Sequence, residues 1–164
     1  MVAIRGQRDF VTPPSGLVIT HDGLFDMDGF YEKVKGWYFR RKYDYTEKEI
    51  QIKYKVQGNE YVFGFLGERE IDEYLKFHID FRVFSIRTRK VKEGYVGWIK
   101  INVMAYVELD WKKEWQKSPW KRFLFYVYNN FIIKDRILRT YEGKLYGELL
   151  EVVNITKASL KAYD

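Results

Sequence analysis

The sequence predicts an α+β domain: an antiparallel four- to five-stranded meander sheet covered by an N-terminal helix and long C-terminal helices. Between Ile50 and Leu109, apolar residues recur at every second position over long stretches, as in strands with one buried face. From Met27 to Tyr38, and again after Ser118, they recur at three- and four-residue steps, as on one stripe of a helix. Short polar turns separate the strand segments, which favours antiparallel neighbours. The apolar sheet face that results requires a helical cover.

Each element has its own signal. Residues 1–16 (MVAIRGQRDFVTPPSG) show no sustained period and include Gly6, Pro13, Pro14 and Gly16, so they read as an N-terminal arm ahead of a single domain at 17–164. Leu17 to Thr20 is a short β-prone run, and His21-Asp22-Gly23 reads as a turn because Asp-Gly takes positive φ readily. A helix comes next over about Asp28 to Arg41. Asp26 or Asp28 caps its positive end, and Phe30, Tyr31, Val34, Trp37 and Tyr38 continue the apolar stripe from Met27. Ile50, Ile52, Tyr54 and Val56 alternate with polar residues as a half-buried strand; Gln57-Gly58-Asn59-Glu60 is a hairpin turn, and Tyr61 to Leu66 is the returning strand.

The polar stretch Gly67 to Glu73 reads as a loop or wide turn. Long strands come after it, at about Tyr74 to Ile86 and Tyr95 to Leu109, joined by a basic connection from Arg87 to Glu93. Ser118-Pro119 starts a helix, with Ser as cap and Pro at the first helical position, that runs to about Arg139. Gly143 and Gly147 weaken the region after it, and a final amphipathic helix aligns Leu145, Leu149, Val152, Thr156 and Tyr163.

This order of elements resembles the helix-grip arrangement of START-type ligand-binding domains. The resemblance implies a carrier with a cavity for an apolar ligand between the sheet and the C-terminal helix. The stretches GLFDMDGFYEKVKGWYFRRKYDYTEKE, Gly23 to Glu49, and YLKFHIDF, Tyr74 to Phe81, are similar to uncharacterised small archaeal α+β proteins. That similarity implies a source and transfers no functional residue.

Composition narrows the chemistry. A chain of 164 residues is of single-domain size, and the absence of cysteine excludes disulfides and every cysteine-based metal site or nucleophile. The N-terminal segment has no apolar stretch of signal-peptide length. The longest apolar stretch, Phe123 to Ile133, is interrupted by Asn129 and Asn130, well short of the ~20 residues that cross a bilayer. No membrane span and no signal peptide are expected, and a cytoplasmic or particle-associated location is the expectation. Charged residues make up 32% and aromatics 19% of the chain, a combination that heat-adapted proteins show.

No catalytic centre, metal site or cofactor is expected. His78 and Asp80 share a strand face, where an acid–base pair or metal site could begin, but Lys76 and Arg82 share it too, as on a solvated face of mixed charge. Glu68, Glu70, Asp72 and Glu73 crowd one loop, whereas glycosidase chemistry needs carboxyls facing each other across a cleft. Neither a phosphate-binding glycine loop nor a nucleophile-elbow serine is present.

What remains is binding. The aromatic surplus, 14 Tyr, 12 Phe and 5 Trp, suits an assembly subunit that forms a homo-oligomer or larger particle through its N-terminal arm and aromatic surface, with Phe10, Trp98, Trp111 and Trp115 as contacts. The alternative is a nucleic-acid or ribonucleoprotein partner. For it, the net charge of +6 and the clusters Arg40, Arg41, Lys42 and Arg82, Arg87, Arg89, Lys90, Lys92 supply phosphate contacts beside Phe84 and Tyr95.

Overall fold

The computed structural model describes residues 8–109, 111–112, 117–128 and 134–161. Strands β1 (Arg8–Phe10) and β2 (Leu17–Phe25) precede helix α1 (Met27–Arg40). Strands β3 (Asp44–Lys53), β4 (Asn59–Glu70), β5 (Leu75–Val91) and β6 (Gly94–Leu109) come after it, then helices α2 (Pro119–Tyr128) and α3 (Lys134–Lys161). The α+β class and the antiparallel sheet are as the alternation requires.

Strand number departs from expectation. The described sheet has six strands in the order β1-β6-β5-β4-β3, with β2 also on β6. The extra strand comes from the chain start. β1 pairs with Tyr106–Glu108 and β2 with Tyr95–Val103 of β6, so the two succeed one another along the same edge. Residues 8–16 are therefore tied to their own domain: Val11 and Thr12 N–H both donate to Ala105 O (3.0 and 3.4 Å), and Asn102 Nδ2 donates to Ser15 O at 2.9 Å.

Several boundaries move for local reasons. The Asp22-Gly23 signal gives the expected positive φ, +126° at Gly23, yet the strand continues through it, with Gly23 opposite Gly97. β4 runs on through Gly67 to Glu70, a stretch expected to be loop, because Glu68 and Glu70 find cross-strand partners in His78 and Lys76. Most of the basic connection 87–93 is strand, broken by one irregularity between Ile86 and Arg89 where Arg87 takes a φ of 52°. β3 begins at Asp44, and a bulge between Lys48 and Gln51 shifts its register. Ile50, Ile52, Tyr54 and Val56, expected to be half-buried, are exposed (68%, 44%, 80% and 100%). At the C-terminus α3 passes straight through Gly143 and Gly147, the positions expected to weaken it; of the helix expected from Ser118 to Arg139, Pro119–Tyr128 and the stretch from Lys134 are helical, and residues 129–133 lie outside the described residues.

One sheet face and two helices make the core. Phe65, Leu75, Phe77, Ile79, Phe81, Val83, Ile99, Ile101, Val103 and Val107 meet Phe30, Val34, Trp37 and Tyr38 of α1 and Leu145, Leu149 and Val152 of α3. α1 starts where Asp26 Oδ1 accepts from Gly29 N at 2.8 Å, the side-chain cap that leaves fewer helix-end donors unpaired. Tyr38 is fully buried and donates its hydroxyl to Ile79 O at 2.6 Å, fixing α1 to the middle of β5. No described helix is long and apolar enough to cross a membrane.

Candidate functional site

Two surfaces of the sheet lack a described cover: the face turned away from α1 and α3, and the outer edge of β3. Side chains alternate across a strand, so register alone maps the uncovered face. Its rows run Asp44, Glu68, His78, Tyr106, Phe10; then Thr46, Leu66, Asp80, Met104; then Lys48, Gly64, Arg82, Asn102, Val18; then Gln51, Val62, Phe84, Lys100, Thr20; then Ile86, Trp98, Asp22.

The end of this face near His78 is bonded largely within itself, although Asp80 Oδ1 is buried without a hydrogen-bond partner. His78 Nε2 lies 2.6 Å from Glu108 Oε2, and its ring stacks on Tyr106 at 4.4 Å. Arg8 sits over Tyr106 at 4.9 Å and Lys76 Nζ is 3.0 Å from Glu68. Burial pulls the His78 pKa below its ordinary value, although the Glu108 contact pushes the other way. Burial also pushes the Asp80 carboxyl up to about 7. His78 and Asp80 do share the face, but Glu108 takes the histidine's bond. Among the described residues no group of three or more His, Asp or Glu side chains could hold a metal.

The acids expected in one loop separate. Asp72 Oδ1 accepts from Tyr74 N and Leu75 N (both 2.7 Å) to close the β4–β5 turn; Glu70 ends β4; Glu73 is exposed.

The other end of the face is open. Around Gly64, which places no side chain between Lys48 and Arg82, lies a hollow of about 230 Å³ that also touches Leu66, Asp80, Asn102 and Met104. It adjoins a wider one of about 560 Å³ lined by Gln51, Val62, Arg82, Phe84, Lys100 and Asn102.

At the β3 edge the surface is apolar. A groove of about 180 Å³ runs between α1 and the β3–β4 hairpin, lined among others by Met27, Tyr31, Ile50, Ile52, Tyr61 and Phe63. It lies beside α1; the space under the C-terminal helix, where the helix-grip resemblance implies a cavity, holds the fully buried Leu145, Leu149 and Val152.

The candidate contact residues scatter. Phe10, 37% exposed, packs on Tyr106 at 5.3 Å, and Trp98 meets Phe84 at 6.4 Å. Tyr106 and Trp98 are about 26 Å apart along β6 at ~3.3 Å per residue. Trp111 donates Nε1 to Asp72 O at 2.9 Å, and Trp115 falls outside the described residues, as does Tyr163 of the C-terminal stripe. The basic run divides by face. Arg82 and Arg89 share the open one, Lys90 leans over Tyr95 (6.0 Å) on the helix side, and Arg87 and Lys92 sit at the irregularity and the turn. Arg40, Arg41 and Lys42 gather at the end of α1, where Arg41 pairs with Glu151. Lys48 and Lys100 of the open face were not singled out in the sequence; the alternation of β6 carried the signal for Lys100, while Lys48 needed the β3 register.

Comparison of the chain with protein-family models, with curated proteins and with solved structures finds no match. The fold and surfaces define an α+β protein with helices on one face of an antiparallel sheet.

Proposed function

We propose that the chain is a non-enzymatic assembly subunit that pairs with a second copy of itself along the outer edge of β3. One observation carries this: β3, the last described strand of the sheet order, presents Ile50 and Ile52 to solvent at 68% and 44% exposure, and the connection after it adds the exposed Tyr54 and Val56 (80% and 100%). Unpaired edge strands are templates for another strand, and monomeric proteins usually blunt them with charge or bulges. Here the bulge after Lys48 is present, yet the apolar residues continue past it. Antiparallel pairing about Gln51 would set Ile50 of one copy against Ile52 of the other and bring the two apolar grooves together, giving the self-complementary contact of a two-fold dimer. Sedimentation equilibrium tests it. The wild-type chain should have twice the monomer mass, Ile52→Lys should be monomeric at the same concentration, and an unchanged mass in the variant would reject the edge as the contact.

A further inference from the structure

We propose that α2 is a docking helix for an anionic lipid surface, with Trp120, Phe123 and Leu124 entering the headgroup layer. The helix is separate from the β3 edge, so this proposal and the assembly reading can fail independently.

α2 (Pro119–Tyr128) is amphipathic. Trp120, Phe123 and Leu124 recur at three- and four-residue steps and share one side of it, where they are 66%, 55% and 36% exposed. Trp120 and Phe123 stack on each other at 5.8 Å and 29°, so together they present one apolar wedge. Lys121 and Arg122 fall on another side and are exposed as well. α2 itself contains no acid, and from Trp111 to Tyr128 five Lys or Arg accompany a single one, Glu114. The segment is moored to the β4–β5 turn: Tyr128 packs on Tyr74 at 6.1 Å, and Trp111 donates to Asp72 O at 2.9 Å. The acids of that turn are engaged, Asp72 with the N–H groups of Tyr74 and Leu75, and Glu73 with Lys112 at 3.7 Å.

An exposed apolar stripe with Trp and Phe, flanked by cations, is the pattern of a helix that lies in the plane of a membrane interface. The rings sit at headgroup level, while the Lys and Arg stems reach toward lipid phosphates. No described helix is long and apolar enough to cross, so the contact is with the surface. A nucleic acid would use the cations, but Trp120 and Phe123 each take up one face of the other, and Leu124 has no plane on which a base stacks. A second copy would bring the same cations to the contact, and like charges oppose that pairing.

The test is co-sedimentation of the whole chain with vesicles of phosphatidylcholine alone and with vesicles that carry about 30% phosphatidylserine. Wild type should pellet with the anionic vesicles and stay in solution with the neutral ones. Trp120→Ser should weaken the partition about 10-fold, and Lys121→Gln and Arg122→Gln about 5-fold each. All three side chains are exposed, so circular dichroism of the variants should match wild type. Should Trp120→Ser not fold, Leu124→Cys supplies a second measurement. The chain has no other cysteine, so one environment-sensitive fluorophore there must shift its emission to the blue when anionic vesicles are added. Absence of binding, equal binding to both vesicles, equal partition of Trp120→Ser and wild type, or an unshifted probe would overturn the proposal. So would a dimer lost in Trp120→Ser, which gives the wedge to a second copy, or tighter binding of oligo(U) that Trp120→Ser weakens, which gives it to a nucleic acid.

Discussion

Arg69 of β4 reaches across the core boundary to Glu148 of α3, with Nη2 2.8 Å from Oε1. Both are well shielded, their side chains 16% and 7% exposed. Arg69 Nη1 also donates to Arg41 O at 2.9 Å, and Tyr43 donates its hydroxyl to the other Glu148 oxygen at 2.6 Å. The guanidinium stands over the rings of Tyr43 and Phe77, at 4.8 and 5.3 Å. One ion pair thus joins the sheet, the end of α1 and α3.

Removing one partner of such a shielded pair leaves the other charge without compensation. Glu148→Ala should cost about 3 kcal/mol of unfolding free energy, read as a lower urea midpoint at unchanged slope. Glu148→Gln keeps an acceptor for Tyr43 and should cost less. Equal stability of all three chains would show that the pair contributes nothing.

Asp80 sets a pH dependence. Burial pushes its pKa up to about 7 from an ordinary 3.8. Between those values the folded chain keeps a proton that the unfolded chain has released, so stability falls as pH rises through that window and levels off above it. His78 acts in the opposite sense: its lowered pKa means that stability drops as acid protonates the unfolded chain below about 6.5. The difference between wild type and Asp80→Asn isolates the carboxyl. In urea melts at pH 4.5, 6 and 8, the variant should gain on wild type as pH rises; a constant difference would contradict the assignment.

Gly67 is needed for a close approach rather than for a turn. A Cβ there would enter the ring of Tyr38 and come within 2.9 Å of Ile79 O, the acceptor of the Tyr38 hydroxyl. Gly67→Ala should destabilise by about 1–3 kcal/mol through overpacking. The same substitution should cost less in a Tyr38→Ala background, since the two residues share one space. Additive effects would place the strain elsewhere.

Much of this fold was legible as periodicity. The stripe from Met27 to Tyr38 and the alternation from Leu75 to Val83 and from Ile99 to Leu109 name most of the core, because a residue that must be buried leaves its period in the sequence. Where pairing overrides local signal, the sequence was silent or misleading. Asp22-Gly23 supplies a positive φ inside a strand, and Arg8 to Phe10 become strand only because β6 extends past β2 to receive them. The bulge between Lys48 and Gln51 leaves Ile50 and Ile52 lining the groove beside α1 instead of packing beneath the helix, so an alternating row that reads as core is exposed. The open face was half visible: Arg82 and Phe84 are in one run, but their neighbours Lys48 and Lys100 come from strands brought alongside by register. Arg69 and Glu148, 79 residues apart, had no local signal at all.

The most direct test of the assembly account is native molar mass by sedimentation equilibrium, after nuclease treatment, on wild type and Ile52→Lys. Pairing at the β3 edge predicts about 40 kDa, twice the 19.9 kDa chain, falling to monomer in the variant while its circular dichroism stays that of wild type. A wild-type chain that sediments as a 19.9 kDa monomer at micromolar concentration would contradict it.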